Sequence, residues 1–367
     1  MNAEDRVWEV VRQAFEERER SPRTRHGRVA LAGAVLVVAA LAAAIASPPG
    51  HAVFEQVRRA VGVEHAAPAL FSLPAPGHLL VQSAEAGGTW VVDQDGARRP
   101  IGDWEYASWS PHGKYIVAAK QNELVAIDPQ GHVKWRLARR NVSSPVWEGT
   151  SVDTRIAYFA ASGLRVVAGD GTDDRLLDAY AVVAPVAWDP ARLHTLAYES
   201  GGAVVLQNVD TRRILWRHNV PFYGKLRWSD DGARLAVVGA GRIAVLDASG
   251  NQVSFVSSLT GFLRDASFKP GTHQLAVDAR LAGSSQIKLV DVDRPGHARL
   301  LFAGPGVFGD IAWSPNAAWL LVDWPTANQW VFIHGARVRA VANVGSHFPR
   351  PDGLGPMFQL DSGWCCS

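Results

Sequence analysis

The sequence reads as an all-β chain: a β-propeller of seven blades, with six as the alternative, preceded by one transmembrane helix. Two observations predict this. An aromatic-led motif recurs about every 40 residues, and one uncharged apolar run lies near the N-terminus. With 367 residues, 47% of them hydrophobic and 20% charged, the chain can bury the core of one large domain plus an appendage.

In chain order, the first element is residues 1–28. Val7, Trp8, Val11, Ala14 and Phe15 recur at spacings of three and four, which gives one apolar face on a helix. A helix this short does not fold alone. The face of Val7, Trp8, Val11 and Phe15 is therefore expected to meet a cytoplasmic partner protein or membrane lipid. From Val29 to Ala46 follow 18 residues without a charge, long enough to span a hydrocarbon core as a helix. Arg20, Arg23, Arg25 and Arg28 precede this run with no acid among them, and the first Lys or Arg after it is Arg58. The positive-inside rule then puts residues 1–28 in the cytoplasm and the rest outside, in a bacterial cell membrane. Ala44-Ile45-Ala46 would also suit a signal peptidase, but the long acid-containing segment before the run favours an uncleaved anchor. Residues 47–67, with Val53, Phe54, Val57, Ala60 and Val61, read as a short amphipathic spacer helix.

From residue 68 to 367 the repeat governs. Trp109-Ser110-Pro111-His112-Gly113 is echoed by Trp228-Ser229-Asp230-Asp231-Gly232, Trp313-Ser314-Pro315, Phe268-Lys269-Pro270-Gly271 and Trp188-Asp189-Pro190, with a degenerate copy at Trp147. The six anchors are separated by 38, 41, 40, 40 and 45 residues. A period near 40 marks four-stranded blades. Each unit runs from the aromatic through a Pro/Gly/Asp turn into an apolar strand, then a second strand such as Leu124-Val125-Ala126-Ile127, then a polar turn. The periodic Trp reads as packing between adjacent sheets. Phe71 lies 38 residues before Trp109 and heads a seventh unit, and Met357-Phe358-Gln359-Leu360 is a late strand able to close the ring.

The Trp-Ser-Pro-x-Gly units resemble the TolB-like and Trp-Asp-repeat-like propellers of bacterial envelope proteins. Two units, Asp128 to Trp135 and Asp210 to Trp216, look like pyrroloquinoline-quinone-type propeller repeats. The whole arrangement is similar to membrane-anchored propellers of actinobacteria. These likenesses imply a fold and say little about chemistry.

The formal net charge of +2 and the lack of a basic stripe argue against nucleic acid as a partner. No Gly-x-Ser-x-Gly elbow, His-Glu-x-x-His or P-loop occurs, so no catalytic residues are assigned. Asp170, Asp173 and Asp174 fit a hairpin turn better than a calcium loop, and neither a metal nor a cofactor is expected. Cys365 and Cys366 are the only cysteines; they would form a vicinal disulfide, join another chain or stay free. The residues three before each anchor share one level of the channel: Tyr106, Ser144, Pro185, Lys225, Asp265 and Asp310. Tyr106, Lys225, Asp265 and Asp310 are the candidate ligand-binding residues of its mouth. The expected function is an anchored binding or scaffolding module for an envelope protein, peptide or glycan, signalling through the cytoplasmic helix. The alternative is a propeller enzyme, a quinoprotein-like oxidoreductase or a hydrolase.

Overall fold

The computed structural model of the protein describes residues 72–83, 88–150, 152–239, 241–256, 261–294, 298–348, 358–359 and 363–366. Val7, Trp8, Val11, Phe15, the apolar run 29–46, the spacer 47–67 and Phe71 lie outside them. Among the described residues no helix is long and apolar enough to cross a membrane.

The described strands form seven antiparallel sheets, one per blade, so the six-bladed alternative is excluded. Blade two comprises Tyr106–Trp109, Ile116–Lys120, Glu123–Ile127 and Val133–Ala138, from the channel outwards. The pattern repeats for blades three to seven, whose inner strands are Ser143–Trp147, Ala187–Trp188, Lys225–Trp228, Phe262–Phe268 and Ile311–Trp313. Blade one joins both ends of the chain: His78–Ser83, Gly88–Val92 and Arg98–Gly102 are completed by Phe358–Gln359 and Trp364–Cys365, both paired to His78–Ser83.

This closure corrects one expectation. Trp364 lies opposite Leu79, as Trp109 lies opposite Ile116 and Trp228 opposite Leu235. Trp364 is therefore the seventh anchor, and the Phe71 assignment is replaced. The inner strand of the closing blade comes from the C-terminal side, 51 residues beyond Trp313, so a search at a period of 40 passes over it.

The second and third strands of each blade read as apolar runs because both of their faces are covered. In blade two, Ile116, Ala118, Val125 and Ile127 pack towards blade one, while Val117, Ala119, Leu124 and Ala126 pack towards blade three. Seven such clusters fill the seven interfaces between blades. Outer strands are half exposed, as Val133–Ala138 with Lys134 and Arg136 shows, and their charges blunt the sheet edge.

Two of the anchors tie neighbouring blades together by hydrogen bonds. Trp188 donates its indole N–H to Val146 O at 3.0 Å and Trp313 to Ser267 O at 3.2 Å, each reaching the inner strand of the preceding blade. The Trp residues of the two Asp-to-Trp units work in the other direction. Trp135 donates to Gly169 O at 2.9 Å and Trp216 to Ala248 O at 3.2 Å, in turns of the following blade. Gly171 and Gly250 lie against these indoles with φ of 88° and 86°. A Cβ there would sit 2.9 Å from Trp135 and 2.6 Å from Trp216, so the turns need glycine for both conformation and space.

Candidate functional site

Each inner strand runs from the mouth of the channel to its anchor, so the residue three positions before the anchor stands at the mouth. The structure brings Lys225, Asp265 and Asp310 together there. Lys225 Nζ donates to Asp265 Oδ1 at 3.1 Å and lies 3.5 Å from Asp310 Oδ1. Arg227, two residues deeper, has a guanidinium nitrogen 3.6 Å from Asp265 Oδ1. The other Asp265 oxygen accepts the Ile311 backbone N–H at 3.3 Å, which links blade six to blade seven. A lysine held between two carboxylates on adjacent blades makes this mouth polar and fixes its charged groups in place.

Tyr106 lines a groove of about 500 Å³ with Glu105, Gln121, Asn122, Asn141 and Ser143, on the blade two and three side. Equal spacing fails in blade three. Its ladder shifts register between Ser143 and Val146, and Ser144 adopts a left-handed φ of 48°. Pro185 lies in the connection ahead of Ala187–Trp188.

One strand outwards lies a second ring that the sequence reading missed. Three positions past the partner of each anchor stand Gln82, Ala119, Phe159, Glu199, Val238, Asp278 and Asp323, all buried. Asp278 is the cross-strand partner of Asp265, and the Asp323 backbone N–H donates to Asp310 O at 3.1 Å. Both Asp278 oxygens, one of Asp323 and one of Glu199 have no hydrogen-bond partner. Burial pushes the Asp278 carboxyl up to about 7, aided by Asp265 and Asp310. Burial likewise raises Glu199 to about 7 and lifts Asp323 well above the carboxylate range. Asp310 is raised by desolvation and by the Asp265 charge. The sequence signal was available, since each acid interrupts an apolar strand: Leu275-Ala276-Val277-Asp278, Leu320-Leu321-Val322-Asp323 and Leu196-Ala197-Tyr198-Glu199.

Glu199 also positions the surface above it. Its backbone carbonyl accepts the Val182 N–H at 2.8 Å, and its Oε1 accepts the Gly224 N–H at 3.0 Å. It thus holds the connections into blades four and five.

At the opposite end of the ring, Cys365 and Cys366 are joined to each other by a disulfide. A Cβ built on Gly113, in the blade two turn, would lie 3.1 Å from Cys366 Sγ, so the pair docks beside an anchor turn and away from the mouth. The Asp170 loop is a side-chain-capped turn, with Asp170 Oδ1 accepting from the Thr172 N–H at 3.0 Å and from its hydroxyl at 2.7 Å. Asp174 instead pairs with Arg165 at 2.7 Å and accepts the Tyr158 hydroxyl at 2.6 Å. Among the described residues no group of three or more His, Cys, Asp or Glu is arranged to hold a metal ion.

No protein-family model matches the chain, and no curated protein does. Solved structures share its fold. The β-propeller domain of Myceliophteria thermophila Cps50 (Swd1) is 13% identical with a TM-score of 0.50, over 64% of this chain and 84% of that one. The C-terminal WD40 domain of Sif2 is 14% identical with a TM-score of 0.54, over 72% and 80%. The likeness is one of fold: the chain shares the β-propeller architecture of these WD40-type domains.

Proposed function

We propose that this chain is a binding or scaffolding module whose propeller engages a partner at the channel mouth. In this reading residues 29–46 anchor it in a bacterial membrane, and the propeller stands outside the cytoplasm. The carrying observation is the ion cluster of Lys225, Asp265 and Asp310, gathered from three blades around one opening. The partner classes that fit it are an envelope protein, a peptide or a glycan. The route of the chain supports the orientation. Leu73 N–H donates to Gln94 O at 2.9 Å, in a turn at the anchor end of the ring, so a tether rooted there leaves the mouth facing away from the bilayer. The face of Val7, Trp8, Val11 and Phe15 is free in this reading to report to a cytoplasmic protein.

Chemical crosslinking in intact membranes, followed by mass spectrometry, tests both halves. The expected result is crosslinks from the mouth face to an envelope component and from residues 1–28 to a cytoplasmic protein. Mouth-face residues that crosslink only to cytoplasmic proteins would overturn the topology.

A further inference from the structure

The mouth face carries large apolar side chains that a lone propeller gains nothing by exposing. Tyr180 and Val183, in the connection into blade four, are 86% and 69% exposed, and Tyr223, in the connection into blade five, is 57% exposed. Phe262, which opens blade six, is 59% exposed. All four stand at the mouth end where successive blades begin, around one arc of the rim. Glu199 holds the first two connections from beneath, so the arc is braced.

The arc carries Asp178, whose Oδ1 accepts the Tyr180 N–H at 2.7 Å, and exposed arginines around Phe262. Arg280 is the cross-strand partner of Phe262, Arg264 lies two residues along the same strand, and Arg242 follows Gly241, whose Cβ position is 3.7 Å from Gly261 O. All three are exposed; Arg264 donates to Phe308 O at 3.1 Å and acts on Asp278, whereas Arg242 and Arg280 form no ion pair among the described residues. Apolar side chains seek a dry contact, and the two unpaired guanidinium groups of Arg242 and Arg280 seek carboxylates.

Resting on the binding-module reading above, we propose that this arc docks a segment of another protein in which apolar and acidic side chains alternate or adjoin. The apolar residues cover Tyr180, Val183, Tyr223 and Phe262, and the acids pair with Arg242 and Arg280. An anionic lipid surface would offer similar chemistry. Because the chain enters the ring at the opposite end, a bilayer reached by that tether meets the other face.

The test uses the purified full-length protein and two labelled peptides of roughly 15 residues, Leu/Trp/Ser with interspersed Glu or with interspersed Lys. Fluorescence anisotropy should show the Glu peptide binding at least about ten-fold tighter. The double variant R242E/R280E should invert that preference. Y223S/F262S should weaken the Glu peptide by about ten-fold or more while leaving the thermal midpoint unchanged. V152S, at an exposed site on the opposite face, should change nothing. Equal affinity for the two peptides, a preference for Lys, or phosphatidylglycerol vesicles competing as well as the Glu peptide would overturn the proposal. A photocrosslinking residue at position 223 and another at 152, used in membranes, separate the two levels of inference. Crosslinks from 223 to lysine-rich segments sink the acidic-partner proposal and leave the module reading standing. Protein crosslinks from neither position sink both.

Discussion

Replacing Asp278 by Asn should make the protein more stable, and by an amount that depends on pH. Asn keeps the shape of the side chain and removes its charge. The carboxyl titrates near 3.8 when exposed and near 7 in the fold, chiefly because it is buried; Arg264 and Lys225 oppose the rise, and Asp265 and Asp310 add to it. That displacement of about three pKa units corresponds to about 4 kcal/mol. The sign follows from proton binding. Between about pH 4 and 7 the folded state keeps a proton that the unfolded chain has released, so rising pH favours unfolding across this window. Below it both states are protonated, and above it both are ionised, so the full penalty stays. Asp278→Asn is immune to this loss. Its advantage over the parent should be near zero around pH 4, grow through neutrality, and level off at up to about 4 kcal/mol above pH 7. Urea unfolding of both proteins at matched pH from 4 to 9 measures the difference. A gap of the same size at pH 4.5 and pH 8 would refute the assignment of a buried, protonated carboxyl.

Three further outcomes are expected. Glu199→Ala should release the Gly224 amide, which hydrogen exchange would record as at least about ten-fold faster exchange at Gly224, whereas Glu199→Gln, which keeps the accepting oxygen, should leave it protected. Trp364→Ala removes the seventh anchor, which packs against Phe332 at 5.7 Å between ring centroids; it should cost about 3–5 kcal/mol and be seen as a lowered thermal midpoint with early proteolysis of the closing blade. His273 lies 2.9 Å from Asp231 and 2.5 Å from Asp293, and these carboxylates raise its pKa above 6.5 against the opposing effect of burial. Its stabilisation is therefore complete below about pH 6.5 and lost as pH rises through the raised value, so His273→Gln should cost about 1 kcal/mol at pH 6 and less at pH 9.

Much of the fold was written in the spacing of the aromatics. Trp109 to Trp313 mark six inner strands because the space between neighbouring sheets demands a large side chain at the same height in each blade. The seventh escaped because closure is a non-local event. Trp364 meets Leu79 only once the ring is complete, and its distance from Trp313 is set by the connecting chain and not by a blade. At the mouth, the same register argument brought Lys225, Asp265 and Asp310 to one place, where the strands are regular. It failed at Ser144, where a bulge and a left-handed residue displace the chain, a feature no spacing reveals. Tyr106 reached the predicted height but faces a groove between blades two and three, because chain position fixes height and not the neighbours across the channel.

The second ring bears on why the mouth looks as it does. Seven positions of equal standing hold Gln82, Ala119, Phe159, Glu199, Val238, Asp278 and Asp323, and Ala, Phe and Val show that the fold accepts apolar side chains there without difficulty. Glu199, Asp278 and Asp323 are thus not needed to build a propeller. Each leaves a buried oxygen without a hydrogen bond, which lowers stability. They are confined to blades four, six and seven. These flank Lys225 in blade five and underlie the arc of Tyr180, Val183, Tyr223 and Phe262. A destabilising group repeated beneath one side of one face is better explained by a use at that face than by packing. The Glu199 side chain holds the connection into blade five at Gly224, and Asp278 and Asp323 lie beneath Asp265 and Asp310, so replacing all three by Val or Phe should yield a more stable ring with a looser mouth. Greater stability together with unchanged partner binding in that triple variant would show that the acids serve neither purpose.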